Sequence, residues 1–234
     1  MTQEKNATHI GIIMDGNRRY ARKNNLATYK GHEKGAKQLN KLLEWAKDLG
    51  VRTLTLYTLS LENFNRPKDE FNHLMNLFRK EFDRLSDDKR IYENKIRIRV
   101  LGRKHMLPKD IQEKIAHIEH KTKDHDSYTL NFAMAYGGRG EIADAAKAIA
   151  QQVKEGTLNA SDIDEETVKA NLYLSDYPDL VIRTGGDRRT SNFFPYQCAY
   201  SEWFFVDKMW PEFQKDDFVE ILEQFKNREQ RFGR

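Results

Sequence analysis

The chain has 234 residues, 38% of them hydrophobic and 11% aromatic, with 40 basic against 36 acidic groups and a formal charge of +4. The apolar fraction supports a real core and excludes disorder as the default, while the near-balance of charge argues against a bulk nucleic-acid binder. Cys198 is the only cysteine, which excludes an intramolecular disulfide and a cysteine-rich zinc site.

Residues 1–8 are polar and carry no apolar stretch of the secretory kind. Nowhere do about 18 apolar residues run together, the length a spanning helix needs. A soluble, cytoplasmic chain is expected, forming one domain over residues 1–234. In chain order, Ile10 to Met14 is an apolar run that reads as a buried strand. Ala36, Leu39, Leu43, Ala46 and Leu49 follow helical spacing, with Gly50 as a natural stop. Residues 51–58 are rich in β-branched side chains and read as a second strand. Phe71, Leu74, Met75, Phe78, Phe82 and Leu85 mark an amphipathic helix. Ile96, Ile98 and Val100 alternate with arginines as a further strand, and a helix starts near Pro108. Residues 128–135 give a strand that runs into Gly137-Gly138-Arg139-Gly140 and an alanine-rich helix to about Val153. Leu180 to Ile182 and Trp203 to Val206 are short strands, and Phe218, Ile221, Leu222 and Phe225 form a closing helix. Strands alternating with helices predict an α/β fold, a mostly parallel central sheet of about six strands flanked by helices.

Three of the strand-like runs end in polar clusters of one flavour: Asp15, Asn17 and Arg19; Ser60, Glu62, Asn63, Phe64 and Arg66; Arg183, Arg189 and Ser191. Ligands of open α/β sheets sit outside the carboxyl ends of the strands. Guanidinium forks match phosphate oxygens, and a carboxylate can hold magnesium. Gly-Lys-Ser/Thr is absent, so this is not a Walker-type loop, and the residue 137–140 glycines lack dinucleotide-binding spacing. The residues alone therefore point to phosphorylated small molecules held with a metal; a surface turn with solvated charges is the alternative for any one segment.

Taken together, residues 9–21, Gly31-His32, residues 60–67, residues 183–193, Tyr200-Ser201-Glu202, Trp210-Pro211 and residues 227–233 resemble the cis-prenyltransferase family, whose members include the undecaprenyl diphosphate synthases. The likeness spans nearly the whole chain. It implies a Z-type polyprenyl diphosphate synthase that condenses isopentenyl diphosphate with an allylic diphosphate, using Mg2+. A hydrophobic tunnel between the sheet and the helices beginning near Ala36 and Phe71 would hold the growing tail.

By the same likeness Asp15 is the catalytic, metal-associated carboxylate, and Gly16, Asn17, Arg18, Arg19, Tyr20 and His32 surround the allylic diphosphate. Arg183, Arg189, Thr190 and Ser191 form the isopentenyl diphosphate clamp, and Glu202 is a second metal ligand. Ser60, Leu61, Glu62, Phe64 and Arg66 contact substrate, with Asn63 as proton acceptor. Leu130 lies where bulk limits chain length. Arg231 and Gly233 belong to a tail that reaches the partner's site, which implies a homodimer. Product release implies transient, peripheral membrane contact, and no nucleic acid is involved. Thr28 stands where an arginine is common, Asp187 where glutamate is common and Tyr20 where bacterial members carry tryptophan, which puts the primer in question. Transfer to a hydroxyl acceptor and a non-catalytic partner subunit are the competing readings. The first has no use for a diphosphate clamp, and the second has no use for Asp15, Arg183 and Arg189.

Overall fold

The computed structural model describes residues 6–228. Six strands form among them: β1 (His9–Ile13), β2 (Thr53–Ser60), β3 (Ile96–Leu101), β4 (Tyr128–Tyr136), β5 (Leu180–Arg183) and β6 (Glu202–Phe205). The helices are α1 (Asn17–Lys23), α2 (Thr28–Asp48), α3 (Lys68–Asp87), α4 (Lys89–Glu93), α5 (Lys109–Lys121), α6 (Gly138–Lys154), α7 (Glu165–Ala170) and α8 (Lys215–Asn227). The sheet has the order β3-β4-β2-β1-β5-β6, and every pairing is parallel. The chain leaves β1 toward β2 on one side and later lays β5 on the other. Such a reversal opens a crevice beyond the carboxyl ends of the strands.

Continuous apolar runs are what a parallel sheet covered on both faces requires, and all five residues of β1 are buried. One face of the sheet packs through Ile10, Ile12, Leu56 and Phe132 against Leu42 of α2, Leu74 and Phe82 of α3, Ile111 and Ile115 of α5 and Phe218 of α8. On the other, Ile13, Ala133, Tyr136 and Val181 meet Leu174, Phe193, Phe194 and Cys198. The predicted α/β class is the one observed, and the sheet is wholly parallel.

The helix expected from Ala36 starts at Thr28, with Gly31 and Gly35 inside it. Their missing side chains let α2 lie against the α1 segment. A Cβ at Gly31 would stand 2.1 Å from the Asn17 carbonyl oxygen, and one at Gly35 would stand 2.4 Å from Asn17 Oδ1. The glycines in the first turns of α2, ahead of the apolar periodicity, are thus the ones the packing demands. α6 likewise begins at Gly138, where a Cβ would fall 2.0 Å from Pro195 Cδ. β2 runs on to Ser60, two residues past its expected end, and so carries that residue to the crevice.

Alanine in a helix interior normally stabilises relative to glycine by about 0.5–1 kcal/mol. Gly31→Ala is expected to reverse that sign and cost about 1–3 kcal/mol through overpacking. Urea unfolding checks it, and a gain in stability would contradict the close approach of α2 to Asn17.

Candidate active site

β1 ends at the turn Asp15-Gly16. Gly16 has φ +102°, in the left-handed region, and a Cβ there would meet Met209 Cβ at 2.8 Å; only glycine adopts this conformation without strain. Its N–H donates to Asp15 Oδ1 at 2.6 Å. Arg183 closes β5 directly opposite Ile13, and its Nη2 donates to Asp15 Oδ2 at 2.8 Å. Nη1 donates to the Arg189 carbonyl at 2.6 Å and to Ser191 Oγ at 2.5 Å. The Arg183 side chain is only 3% exposed, so one buried guanidinium ties the end of β1 to the loop after β5. Arg19 Nη2 lies 3.4 Å from Asp15 Oδ1 and donates to Asp187 Oδ2 at 3.0 Å. Asp187 Oδ1 in turn accepts from Arg189 Nη1 at 3.0 Å. Burial raises the Asp15 pKa, but the Arg183 hydrogen bond, the Gly16 amide and the charges of Arg183 and Arg19 outweigh it and hold the carboxyl below its usual value. Asp15 is ionised at neutral pH.

The loop after β5 is strained. Ser191, Asn192 and Phe194 have φ of 49°, 62° and 47°, a region that non-glycine residues visit at a cost. It is fastened by β2 and by the start of α6. The Tyr57 hydroxyl donates to the Ser191 carbonyl at 3.3 Å, the Gly138 N–H to the Asn192 carbonyl at 2.8 Å, and the Arg139 N–H to Asn192 Oδ1 at 2.9 Å.

A second charge group faces this one across the crevice. Glu70, in the first turn of α3, accepts from Arg66 Nη1 at 2.9 Å and lies 3.6 Å from Arg18 Nε and 3.7 Å from His32 Nε2. The last distance is too long for a hydrogen bond, and buried His32 Nε2 has no partner. Burial, then the positive charge of Arg66, pushes the His32 pKa down from 6.5 to about 4 despite Glu70, so the ring is neutral at neutral pH. Glu70 has a side chain 11% exposed and gathers three site residues, yet no local sequence pattern singles it out. An acidic residue at a helix start is ordinary there, and nothing local announces its partners.

Between the two groups opens a cavity of about 1020 Å³. Its mouth is lined by Asp15, Gly16, Asn17, Arg18, Arg19, His32, Ser60, Glu62, Asn63, Arg66, Arg189, Thr190 and Ser191, together with Arg22, Arg139, Asp187 and Asn192. Its depth is apolar, with Leu39 of α2, Leu74, Leu77, Phe78, Phe82 and Leu85 of α3, and Phe132 and Met134 of β4. The arrangement suits a molecule with anionic groups at one end and a long hydrocarbon at the other.

Other expected site residues are placed differently. Arg183 lies beneath the mouth, not on its wall. Tyr20, Leu61 and Phe64 are also outside the lining, and Phe64 packs on Phe71 with ring centroids 5.2 Å apart. Leu130 is 1% exposed and sits on β4 one pleat below Phe132. Glu202 opens β6 opposite Leu180, which is level with Ile10. Asp15 lies past the other end of β1, beyond Ile13, where its N–H donates to the Ile13 carbonyl at 3.0 Å. Glu202 accepts from Arg228 at 2.7 Å. Within one chain Glu202 and Asp15 therefore stand at opposite ends of the sheet. Arg231 and Gly233 lie outside the described residues.

Magnesium is commonly held by one or two carboxylates together with substrate phosphates and water. Asp15, ionised and 31% exposed, fits that demand. Among the described residues no three His, Cys, Asp or Glu side chains gather to hold an ion unaided. No helix among them is long and apolar enough to cross a membrane.

The comparisons agree with this geometry. A family model described as undecaprenyl diphosphate synthase matches residues 13–233. A tritrans,polycis-undecaprenyl-diphosphate synthase of Pyrococcus horikoshii, named as geranylgeranyl-diphosphate specific, is 50% identical over 97% of this chain and 86% of its own length. The protein of the same name from Methanocaldococcus jannaschii is 44% identical over 97% of this chain and 82% of its own. Among solved structures, lavandulyl diphosphate synthase from Lavandula x intermedia, in complex with dimethylallyl diphosphate, aligns with a TM-score of 0.93 at 33% identity over 98% of this chain and 99% of that one. With an ionised aspartate and facing arginines set over an apolar tunnel, the chain belongs to the undecaprenyl diphosphate synthase family of cis-prenyltransferases.

Proposed function

We propose that this cis-prenyltransferase uses geranylgeranyl diphosphate as primer and extends it with isopentenyl diphosphate to a long Z-configured polyprenyl diphosphate. The observation that carries the reading is the pair of anion-binding groups meeting at the 2.8 Å Asp15–Arg183 contact above the tunnel. The primer follows the names of the archaeal relatives, and Thr28 in place of an arginine is consistent with a primer other than the bacterial one.

The primer's diphosphate lies against Arg18, Arg19 and Arg66, with Gly16 leaving the backbone close to it. Its hydrocarbon enters the apolar tunnel, where each buried methylene contributes about 0.8 kcal/mol. Isopentenyl diphosphate is held by Arg189, Thr190 and Ser191 on the other side, and buried Arg183 holds Ser191 and Asp15 in register. Asp187 spans Arg19 and Arg189 and keeps the two sets at a fixed spacing. Donors already aimed at the leaving group stabilise developing charge without reorganising. Asp15, together with substrate phosphates, would hold Mg2+, which would supply further neutralisation of the leaving pyrophosphate. Neutral His32 offers one donor and one acceptor to the leaving group. Asn63 Oδ1 already accepts the Ser60 N–H at 3.1 Å, and an amide oxygen is a feeble base, so its role is to orient substrate beside Ser60 and Glu62. Leu130 limits length from below Phe132. The chain works as a homodimer and meets membrane transiently when the lipid product leaves.

Incubation with isopentenyl and geranylgeranyl diphosphates and Mg2+ should yield a polyprenyl ladder by mass spectrometry, with farnesyl diphosphate the poorer primer; absence of incorporation would overturn the assignment. Asp15→Asn is expected to lower turnover by about 10²-fold or more, the scale of losing one preorganised electrostatic group, while the fold, read by circular dichroism, is kept. Leu130→Ala should shift the ladder to longer products, and an unchanged ladder would remove that role.

His32 gives a pH signature. Because its folded pKa of about 4 lies below the free value of 6.5, the unfolded chain takes up a proton between these values that the native chain refuses. Stability therefore falls as pH drops from about 6.5 toward 4, and the Asp15 carboxylate, depressed below 3.8, stays ionised through that window. His32→Gln should lose less stability than the parent between pH 7 and 4.5 in urea unfolding, by up to about 3 kcal/mol. Equal losses would contradict a buried neutral ring.

A further inference from the structure

α3 turns one stripe toward the cavity, formed by Leu74, Leu77, Phe78, Glu81, Phe82 and Leu85. The three- and four-residue spacing makes this a single helical face. Glu81 is its only charged member. At 1.5 Å per residue it lies roughly 16 Å down the helix from Glu70 at the mouth. There the rings of Phe82 and Phe132 meet edge to face, 6.1 Å between centroids. Its carboxylate is anchored by Arg84, Nε to Oε2 at 2.9 Å, with the two side chains 28% and 34% exposed. Arg84 reaches Asp88 at 3.6 Å, and Arg90 joins Asp88 at 2.7 Å to Glu44 of α2 at 2.6 Å. A charged seam therefore runs from α3 through Arg90 of α4 to Glu44 of α2, and Glu81 is the member of it that lines the cavity.

We propose that Glu81, anchored by Arg84, is a specificity-determining residue that limits product length. The inference rests on the chain-elongating activity proposed above. A tail descending along α3 gains from burial as far as the Phe82–Phe132 level. Further units would press hydrocarbon against a carboxylate, removing its water without offering a hydrogen bond in return. Extension past Glu81 thus loses the burial gain that drives earlier additions, and the product is released near that length. The limit is one of charge in the wall, separate from the length limit proposed for Leu130.

The test compares the parent, Glu81→Gln, Glu81→Leu and Arg84→Gln, each with Mg2+, isopentenyl diphosphate and geranylgeranyl diphosphate, products sized by mass spectrometry and folds checked by thermal unfolding. Both Glu81 variants are expected to raise the modal product by at least one five-carbon unit. Arg84→Gln, which leaves the carboxylate uncovered, is expected to lower it by at least one, and this variant keeps the test open should a Glu81 change impair folding. An unchanged ladder in the Glu81 variants, or a shift confined to Glu81→Leu, would overturn the charge limit. Failure of the parent chain to incorporate isopentenyl diphosphate would overturn the elongating activity itself.

Discussion

The buried guanidinium of Arg183 is the constraint on which the site depends. A charge so removed from water must be matched by acceptors, and removing one partner of a buried pair typically costs about 3–5 kcal/mol. Arg183 finds its acceptors in the Asp15 carboxylate, the Arg189 carbonyl and Ser191 Oγ. Those groups come from β1 and from the loop after β5, strands that are neighbours only because the chain reverses its direction of sheet growth at β1. Topology creates the crevice, and one ion pair fixes the geometry inside it.

Around that pair the cavity divides its work by polarity. Arginines at the mouth are paired with Asp15, Asp187 and Glu70, so they are held in place before an anion arrives. A ligand that replaces those partners meets donors already oriented, which is how preorganised sites stabilise developing charge. Below the mouth, α2, α3 and β4 present leucine and phenylalanine, and binding there is non-directional and grows with the area covered. A head held by geometry and a tail held by area let one site accept a substrate that lengthens at every turnover.

Much of this was legible in the sequence. An apolar run that stops in Asp15-Gly16-Asn17-Arg18-Arg19 marks a strand end, and three such ends imply one crevice. The apolar stripe on α3 was equally plain from its spacing. Other features were hidden for physical reasons. The helix read from Ala36 stops short of the turns holding Gly31 and Gly35 because periodicity scores side chains, while these glycines serve by having none against Asn17. Arg183 after Leu180-Val181-Ile182 reads as a residue open to ligand; only the fold shows the loop through Arg189 and Ser191 closing over it. Glu70 and Glu81 sit where acidic residues on helices are commonplace, and their meaning comes from partners or a cavity that no local pattern encodes. Glu202 follows the family pattern in sequence, but the parallel register sets it at the opposite end of the sheet from Asp15.

The central claim is that two diphosphates lie on opposite sides of the Asp15–Arg183 pair. The most direct test is diffraction from crystals holding isopentenyl diphosphate together with a non-hydrolysable thio-analogue of the allylic primer. The account predicts one diphosphate against Arg18, Arg19 and Arg66 and the other against Arg189 and Ser191, with the primer's hydrocarbon between α2 and α3. A single shared anion site, or a primer tail lying outside the tunnel, would contradict it.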